Sequence, residues 1–343
     1  MKTRRILLLL FAGICIILAY GGWVVFGPAV HNPERKFLYI TTGSNYGQVR
    51  ETLMKESFLN GSFWLDKISS YADYPRNVKA GKYRVPDGMS LYHLVRMLRA
   101  GRQVPVNLVI TKLRTKEDLA RKIAANFESD SATAIHFLNN ADSLRPFDVD
   151  TSTVMTDVIP DTYTFTWNTP VKNIFRRLSY QEQKFWNGER VIRARRLGLT
   201  PKQVYTLASI VEEETNKTAD KGKIASVYIN RLRKGMKLGA DPTIKYAMRD
   251  FGLTRIYHKY LQFESPYNTY RFPGLPPGPI CTPSVKTLDA VLDAPGTDYL
   301  YFVARADFSG YSDFASTFRQ HQANARAYQQ ALDSLIRSKQ SGQ

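Results

Sequence analysis

The sequence predicts an α+β protein with a single N-terminal transmembrane helix, a small βα module and a larger mixed α+β domain. Three observations predict this. Residues 6–26, ILLLLFAGICIILAYGGWVVF, carry no charge and are long enough to cross a bilayer. Beyond them, a short β-rich run, a turn and an amphipathic helix recur three times before residue 128. From there helical periodicity dominates, broken by a β-rich segment at 158–167 and two strand-like runs near the C-terminus. The 343 residues are enough for two domains, and 43% hydrophobic with 23% charged residues is a globular composition.

Lys2, Arg4 and Arg5 precede the apolar run. Basic residues flank the cytoplasmic end of a span, so residues 1–5 are expected inside and the rest of the chain outside. The run continues through Trp23, Val24 and Val25, longer than the apolar core of a cleaved signal peptide, which predicts an uncleaved anchor. Cys15 lies mid-span and outside any lipobox-like sequence. Residues 27–36 read as a short polar linker with Pro28 and Pro33.

The module is expected over residues 37–105. Phe37–Thr42 reads as a strand, with Ser44 before a helix carrying Tyr46, Val49 and Leu53. Lys82–Val85 is the second strand, followed by the turn Pro86-Asp87-Gly88. Ser90 then caps a helix whose Leu91, Leu94, Val95 and Leu98 share one face, and Gly101 ends it. The larger domain is expected over 106–338. It opens on Val106–Ile110, with Thr115 and Asp118 as a capping-box-like pair before Leu119, Ile123 and Phe127. A helical stretch is expected around Ile135–Leu138, and one long amphipathic helix from Val171 to about Arg196. Asp298–Ala304 reads as a buried strand, Phe314–Phe318 as a second, and 319–338 as a terminal helix with a frayed Lys339–Gln343.

Composition narrows the function. Lys and Arg number 48 against 30 Asp and Glu, a net charge of +18, which calls for a polyanionic partner. The anchor's orientation turns that excess away from nucleic acid and toward anionic lipid and wall polymer. Two cysteines, Cys15 and Cys281, exclude a disulfide scaffold and any Cys-rich metal site. Five scattered histidines without HExxH argue against a His-built one, so no metal or cofactor is expected.

Residues 200–246 carry the chemistry. Thr200 suits an N-cap and Pro201 the first position of a helix running to Thr215. At 100° per residue, Val204, Leu207, Ala208, Val211 and Thr215 form its buried stripe. Glu213 then faces solvent, while Glu212 and Glu214 border the apolar face on opposite sides. A carboxylate there is partly desolvated, which raises its pKa and suits it to general-acid work. The helical wheel does not choose between Glu212 and Glu214. In the next helix, about Asp220–Lys234, Arg231 shares a face with Ile224, Val227 and Tyr228, so it needs an anionic or carbonyl partner; Glu212, Glu214 and Asp241 are candidates. Gly235 stops this helix, and Asp241-Pro242-Thr243 starts another with Asp241 as N-cap. The Pro/Gly-rich loop 262–284 carries Tyr267, Asn268, Thr269 and Tyr270, a set suited to stacking on sugar rings and bonding their hydroxyls.

LASIVEEET (207–215), IASVYINRLRKGMKLGADPT (224–243), YNTY (267–270) and GLPPGPI (274–280) together resemble the YceG-like family of endolytic murein transglycosylases. GKYRVPDGMS (81–90) and IPDTYTF (159–165) fit as well, and the resemblance covers most of residues 37–335. It implies a LysM-like character for the 37–105 module. It also implies Glu212, the first Glu of the IVExET motif, as the catalytic acid. Asn230, Arg231, Asp241, Thr243, Asn268, Thr269 and Tyr270 would shape or contact the saccharide site. Gly239 stands where the family usually has Gln, and Cys281-Thr-Pro-Ser where it has Asn-Pro-Gly. The implied activity is cleavage of the MurNAc–GlcNAc β-1,4 bond within peptidoglycan strands, leaving 1,6-anhydro-MurNAc ends. The implied setting is the inner membrane of a bacterium, with peptidoglycan synthases as protein partners. The competing expectations are a hydrolytic muramidase using Glu214 or Asp241 as second carboxylate, and a non-catalytic wall-binding scaffold.

Overall fold

The computed structural model describes residues 2–341. It divides into two units, which we describe separately. The first comprises Met1–Leu108, Ala124–Ser129 and Thr164–Pro170; the second comprises Val109–Ile123, Asp130–Tyr163 and Val171–Gln343.

The first unit begins with α1 (Lys2–Phe26), whose Arg4–Phe26 stretch is long and apolar enough to cross a membrane and whose large side chains are exposed. β1 (Phe37–Ile40) follows, then α2 (Tyr46–Lys55), α3 (Phe63–Tyr71), β2 (Gly81–Arg84), α4 (Leu91–Ala100) and β3 (Val106–Val109). β1 and β2 pair antiparallel, Leu38 opposite Tyr83 and Ile40 opposite Gly81. One face of this strand pair joins α2, α3 and α4 in a core of Leu38, Ile40, Val49, Leu53, Leu65, Tyr83, Leu94 and Leu98. Ser90 caps α4, accepting the His93 N–H, and Gly101 ends it at φ +68°, a left-handed conformation that favours glycine. Both caps are where the sequence put them.

Two features of this unit depart from expectation. α3 lies in a stretch that shows no clean periodicity. The linker is also no free tether. Val30 and Asn32 are buried; Asn32 Nδ2 donates to the Val85 and Lys36 carbonyls, and the Val30 N–H to the Met89 carbonyl. A polar composition hid one buried asparagine that satisfies two carbonyls.

The second unit contains α5 (Lys116–Asn126) and β4 (Thr162–Phe165), both shared across the division, with α6 (Ser131–Asn139), α7 (Ala141–Leu144), α8 (Val171–Phe185), α9 (Gly188–Leu197), α10 (Pro201–Glu214), α11 (Thr218–Arg233), α12 (Asp241–Ala247), α13 (Val285–Leu292), β5 (Tyr301–Ala304), β6 (Ser312–Ala315) and α14 (Phe318–Ser341). The single helix expected over 171–196 is two helices, because Asn187 interrupts it and caps α9 by accepting the Arg190 N–H. The two C-terminal strands form an antiparallel hairpin, Tyr301 opposite Ala315. β5 is only partly buried, and Phe318 begins α14 instead of ending a strand. The helix continues through Ser341; Gly342 and Gln343 lie outside the described residues.

A pair of carboxyls is packed beneath α10. Asp157 is 2% exposed, with one oxygen lacking any partner, and burial pushes it up to about 6 against the pull of Ser179 and Lys202. Burial pushes Glu182 up to about 8, and Asp157 adds to the effect. The fold therefore holds protons here that the unfolded chain releases. Their stabilisation is fully present below the ordinary carboxylate range and is lost as pH rises through 6 and then 8. Calorimetry should show the Tm advantage of Glu182→Gln over wild type growing between about pH 5 and 9. A difference independent of pH would contradict the assignment.

Candidate active site

α10 is positioned before any chemistry begins. Thr200 accepts the Gln203 N–H at 3.2 Å, Gln203 Oε1 accepts the Thr200 N–H at 2.8 Å, and Pro201 takes the first turn. The expected single buried stripe is an underestimate: every residue from Val204 to Val211 is buried, because neighbouring helices surround α10. Tyr205 Oη donates to the Val158 carbonyl at 2.6 Å. Ser209 Oγ accepts the Ile280 N–H at 3.0 Å, and the buried Cys281 thiol donates to the Ser209 carbonyl at 3.4 Å. These bonds sew the end of the Pro/Gly-rich loop to α10. They bring Ser284, the N-cap of α13, beside the helix's last turn.

Three consecutive glutamates leave that turn in three directions. Glu212 reaches the N-terminus of α13. Its Oε2 accepts from Lys221 Nζ at 2.8 Å, from Ser284 Oγ at 3.1 Å and from Thr287 Oγ1. Lys221 is itself buried, its side chain 9% exposed, and its Nζ also donates to Thr287 Oγ1 at 2.5 Å. Burial pushes the Glu212 carboxyl up, but these donors together outweigh it and hold the group below the usual carboxylate range. That corrects the expectation of a raised pKa: a buried lysine and a helix N-terminus stabilise the charge. Oε1 is the oxygen left clear of these bonds.

Glu213 does not face solvent. It pairs with Lys112 at 2.7 Å and Arg114 at 3.3 Å and is only 16% exposed. The two cations come from the segment after β3, which Thr282 holds through bonds to the Leu113 N–H and its carbonyl. Lys112 and Arg114 also line a basic cavity of about 770 Å³ with Arg121, Arg249 and Phe251. Glu214 points to the third side, where Tyr228 Oη donates to it at 2.6 Å. Burial pushes Glu214 up to about 7, and the nearby Asp241 adds to this while Arg231 opposes it.

The other sequence candidates divide into two sets. Tyr270 Oη donates to Asp241 at 2.5 Å, and Asp241 is exposed. Asp241 is the first residue of α12 and not its cap; Ala240 holds the cap position and provides no side-chain bond. Thr243, Asn268 and Thr269 are buried and committed inward. Thr243 Oγ1 donates to the Ala240 carbonyl, Thr269 Oγ1 accepts the Ala240 N–H, and Asn268 Nδ2 donates to the Leu261 and Phe263 carbonyls. They shape the loops and have no free side-chain face for a sugar. Asn230 likewise spends its amide on the Thr297 and Tyr299 carbonyls. Arg231 takes carbonyl partners, Leu300 at 2.7 Å and Leu238 at 2.5 Å, and no carboxylate.

Lys221, Ser284 and Thr287, which bond to Glu212, are absent from the sequence candidates. Each left a signal. Lys221 precedes Ile224 and Tyr228 at i+3 and i+7, the buried face of α11, and Ser284-x-x-Thr287 has N-cap spacing. Among the described residues no cluster of three or more His, Cys, Asp or Glu could hold a metal ion.

Replacing Lys221 removes the cation paired with Glu212, so the Glu212 pKa should rise. Carboxyl-carbon NMR titration of Lys221→Met against wild type measures it, and an unchanged or lower value would refute the pairing.

The model of the YceG-like family matches residues 38–327. A Bacillus subtilis protein named endolytic murein transglycosylase is 27% identical over 335 residues, covering 91% of each chain. A Streptococcus pneumoniae protein of the same name is 27% identical over 316 residues, covering 83% of this chain and 57% of that longer one. Among solved structures, a YceG-like protein from Listeria monocytogenes superimposes with a TM-score of 0.54 at 27% identity, covering 84% of this chain and 98% of that one. The mixed α/β architecture, the four ordered motifs and a match over most of the chain converge, and the chain belongs to the YceG-like family.

Proposed function

We propose that this chain is a membrane-anchored endolytic murein transglycosylase that cuts the MurNAc–GlcNAc β-1,4 bond with Glu212 as its acid and base. Relatives at 27% identity carry that name, and the resemblance in the IVExET motif supports Glu212 as the catalytic acid. The observation that carries the residue assignment is the carboxylate itself: three donors fix Oε2 and leave Oε1 clear of them.

The reaction balances on one carboxyl. The protonated Glu212 gives its proton to the glycosidic oxygen as the C1–O bond breaks. The MurNAc C6 hydroxyl oxygen then bonds to C1, and its proton returns to the Glu212 carboxylate. The product is a 1,6-anhydro end, and no water is consumed. Because the nucleophile is supplied by the substrate, the second carboxylate of ordinary glycosidases has no task. In the free protein Lys221 favours the charged form of Glu212, so a strand that displaces water around Oε1 must raise its proton affinity. The exposed Asp241 and its partner Tyr270 are the polar groups of the loop set best placed to meet sugar hydroxyls. The 37–105 module, LysM-like by resemblance, would hold the same polymer. α1 would anchor the chain in the inner membrane with its N-terminus inside, and synthases of wall elongation or division would be its neighbours.

A second reading has one observation in its favour. Burial pushes Glu214 up to about 7 with Asp241 adding to the effect, the environment of a hydrolase's general acid. Digestion of purified glycan strands separates the two readings. Glu212→Gln should lower the release of anhydro-muropeptides by about 10²–10⁴. Glu214→Gln should retain more activity than that, and mass spectrometry should find anhydro ends throughout. Reducing ends, or wild-type release by Glu212→Gln, would overturn the proposal.

A further inference from the structure

α3 has two faces of opposite meaning. Leu65, Ile68 and Ser69 turn into the core of the first unit. At 100° per residue Phe63, Lys67, Tyr71 and Trp64 fall within one arc of about 100° on the other side. Phe63 is 63% exposed, Trp64 39% and Tyr71 97%. Lys67 Nζ lies 5.8 Å from the centre of the Phe63 ring. A helix face turned to water carries charged and small polar groups. Three aromatic rings and a lysine make up the composition of a bilayer interface, where amphipathic rings settle at headgroup level.

The location of this face supports the same partner. Phe63 and Trp64 line one surface cavity of about 400 Å³ with Tyr20, Trp23 and Val24 of α1. The hydrocarbon core is about 30 Å thick, or about 20 helical residues, which from Ile6 reaches Val25. Tyr20 and Trp23 lie about 9 and 5 Å below the end of α1 at Phe26. Side chains that share a cavity with them lie at the outer boundary of the bilayer. The linker prevents the module from lifting away. The Gly27 N–H continues α1 onto the Trp23 carbonyl, Val30 and Met89 are bonded, and the His31 N–H donates to the Phe58 carbonyl. The Phe26 and Tyr92 rings, 5.2 Å apart, close the junction to α4.

We propose that the outer face of α3 is a membrane foot: Phe63, Trp64 and Tyr71 embed at the boundary of headgroups and acyl chains, and Lys67 meets lipid phosphate. The proposal rests on the anchoring of α1 stated above. It gives the first unit a second lipid contact, so its height and tilt on the leaflet are fixed where a single span would let it swivel.

The test uses the full chain in nanodiscs whose lipids are brominated near the top of the acyl chain. Three of the four tryptophans, Trp23, Trp64, Trp167 and Trp186, are replaced by Phe in turn so that one remains. The Trp64-only chain should lose about half of its emission to bromine, as the Trp23-only chain does. Trp64→Phe in the otherwise unaltered chain should remove the same bromine-sensitive component, which guards against misfolding of the triple variants. If Trp64 is quenched by aqueous acrylamide and not by bromine while Trp23 is quenched by bromine, the foot is overturned and the anchor stands. If Trp23 also escapes bromine, both fall.

Discussion

Three consecutive carboxylates at the end of a buried helix are the constraint around which the second unit is arranged. Peptide dipoles leave partial negative charge at a helix C-terminus, so Glu212, Glu213 and Glu214 add charge where it is least welcome. Successive side chains diverge by 100°, so no single partner can serve all three. The fold supplies three. α11 and α13 bring Lys221, Ser284 and Thr287 to the first, the segment after β3 brings Lys112 and Arg114 to the second, and Tyr228 meets the third. α11 serves two of them, through Lys221 and Tyr228 two turns apart. The burial of α10 and the chemistry at its end are thus one structural problem.

The three solutions give three proton affinities. A cation and hydroxyl donors keep Glu212 charged despite partial burial. A phenol, with Arg231 opposing only weakly, leaves Glu214 near neutrality. Burial raises a carboxyl's pKa only when it is not answered by donors, and neighbouring positions on one helix can receive opposite answers. In the proposed reaction the group must give a proton and take one back. A carboxylate tuned too far toward either form would do one half well and the other poorly. Lys221 biases the resting state toward the base, and the strand's own displacement of water supplies the opposing bias.

Local signals were the legible part of the sequence. Ser90, Thr200 and Gly101 cap helices through short-range bonds that depend on a few residues, so they can be read without the fold. Glu213 and Arg231 could not be read this way. The helical wheel of α10 assumes one buried side, and with helices all round it the position opposite the stripe meets Lys112 instead of water. Arg231 was correctly placed on an apolar face, but its carbonyl partners come from Leu238 and Leu300, fixed only once the β5 hairpin has folded. The same holds for Asn268 and Thr269. Their residue types suit sugars, and equally suit holding a proline-rich loop whose backbone groups cannot all pair with each other. α3 was missed because its exposed face is aromatic, which cancels the contrast between faces that periodicity needs.

That cancellation is informative in itself. An amphipathic pattern measures contrast with water, and a helix lying at a membrane boundary has no reason to show it. The net charge of +18 gains a more definite sense beside this. Positive charge spread over a soluble surface would attract any polyanion, with screening beyond about 8–10 Å at physiological salt. On the proposed footing Lys67, beside the Phe63 ring, would act within that distance of the lipid phosphates. Rings supply depth by partitioning at the boundary, and the lysine resists deeper entry, so the pair defines a level where either alone would give only attraction. A protein that works on a polymer lying along a membrane gains from being held at a level, because its reach is then set by its own structure and not by thermal swing about one helix.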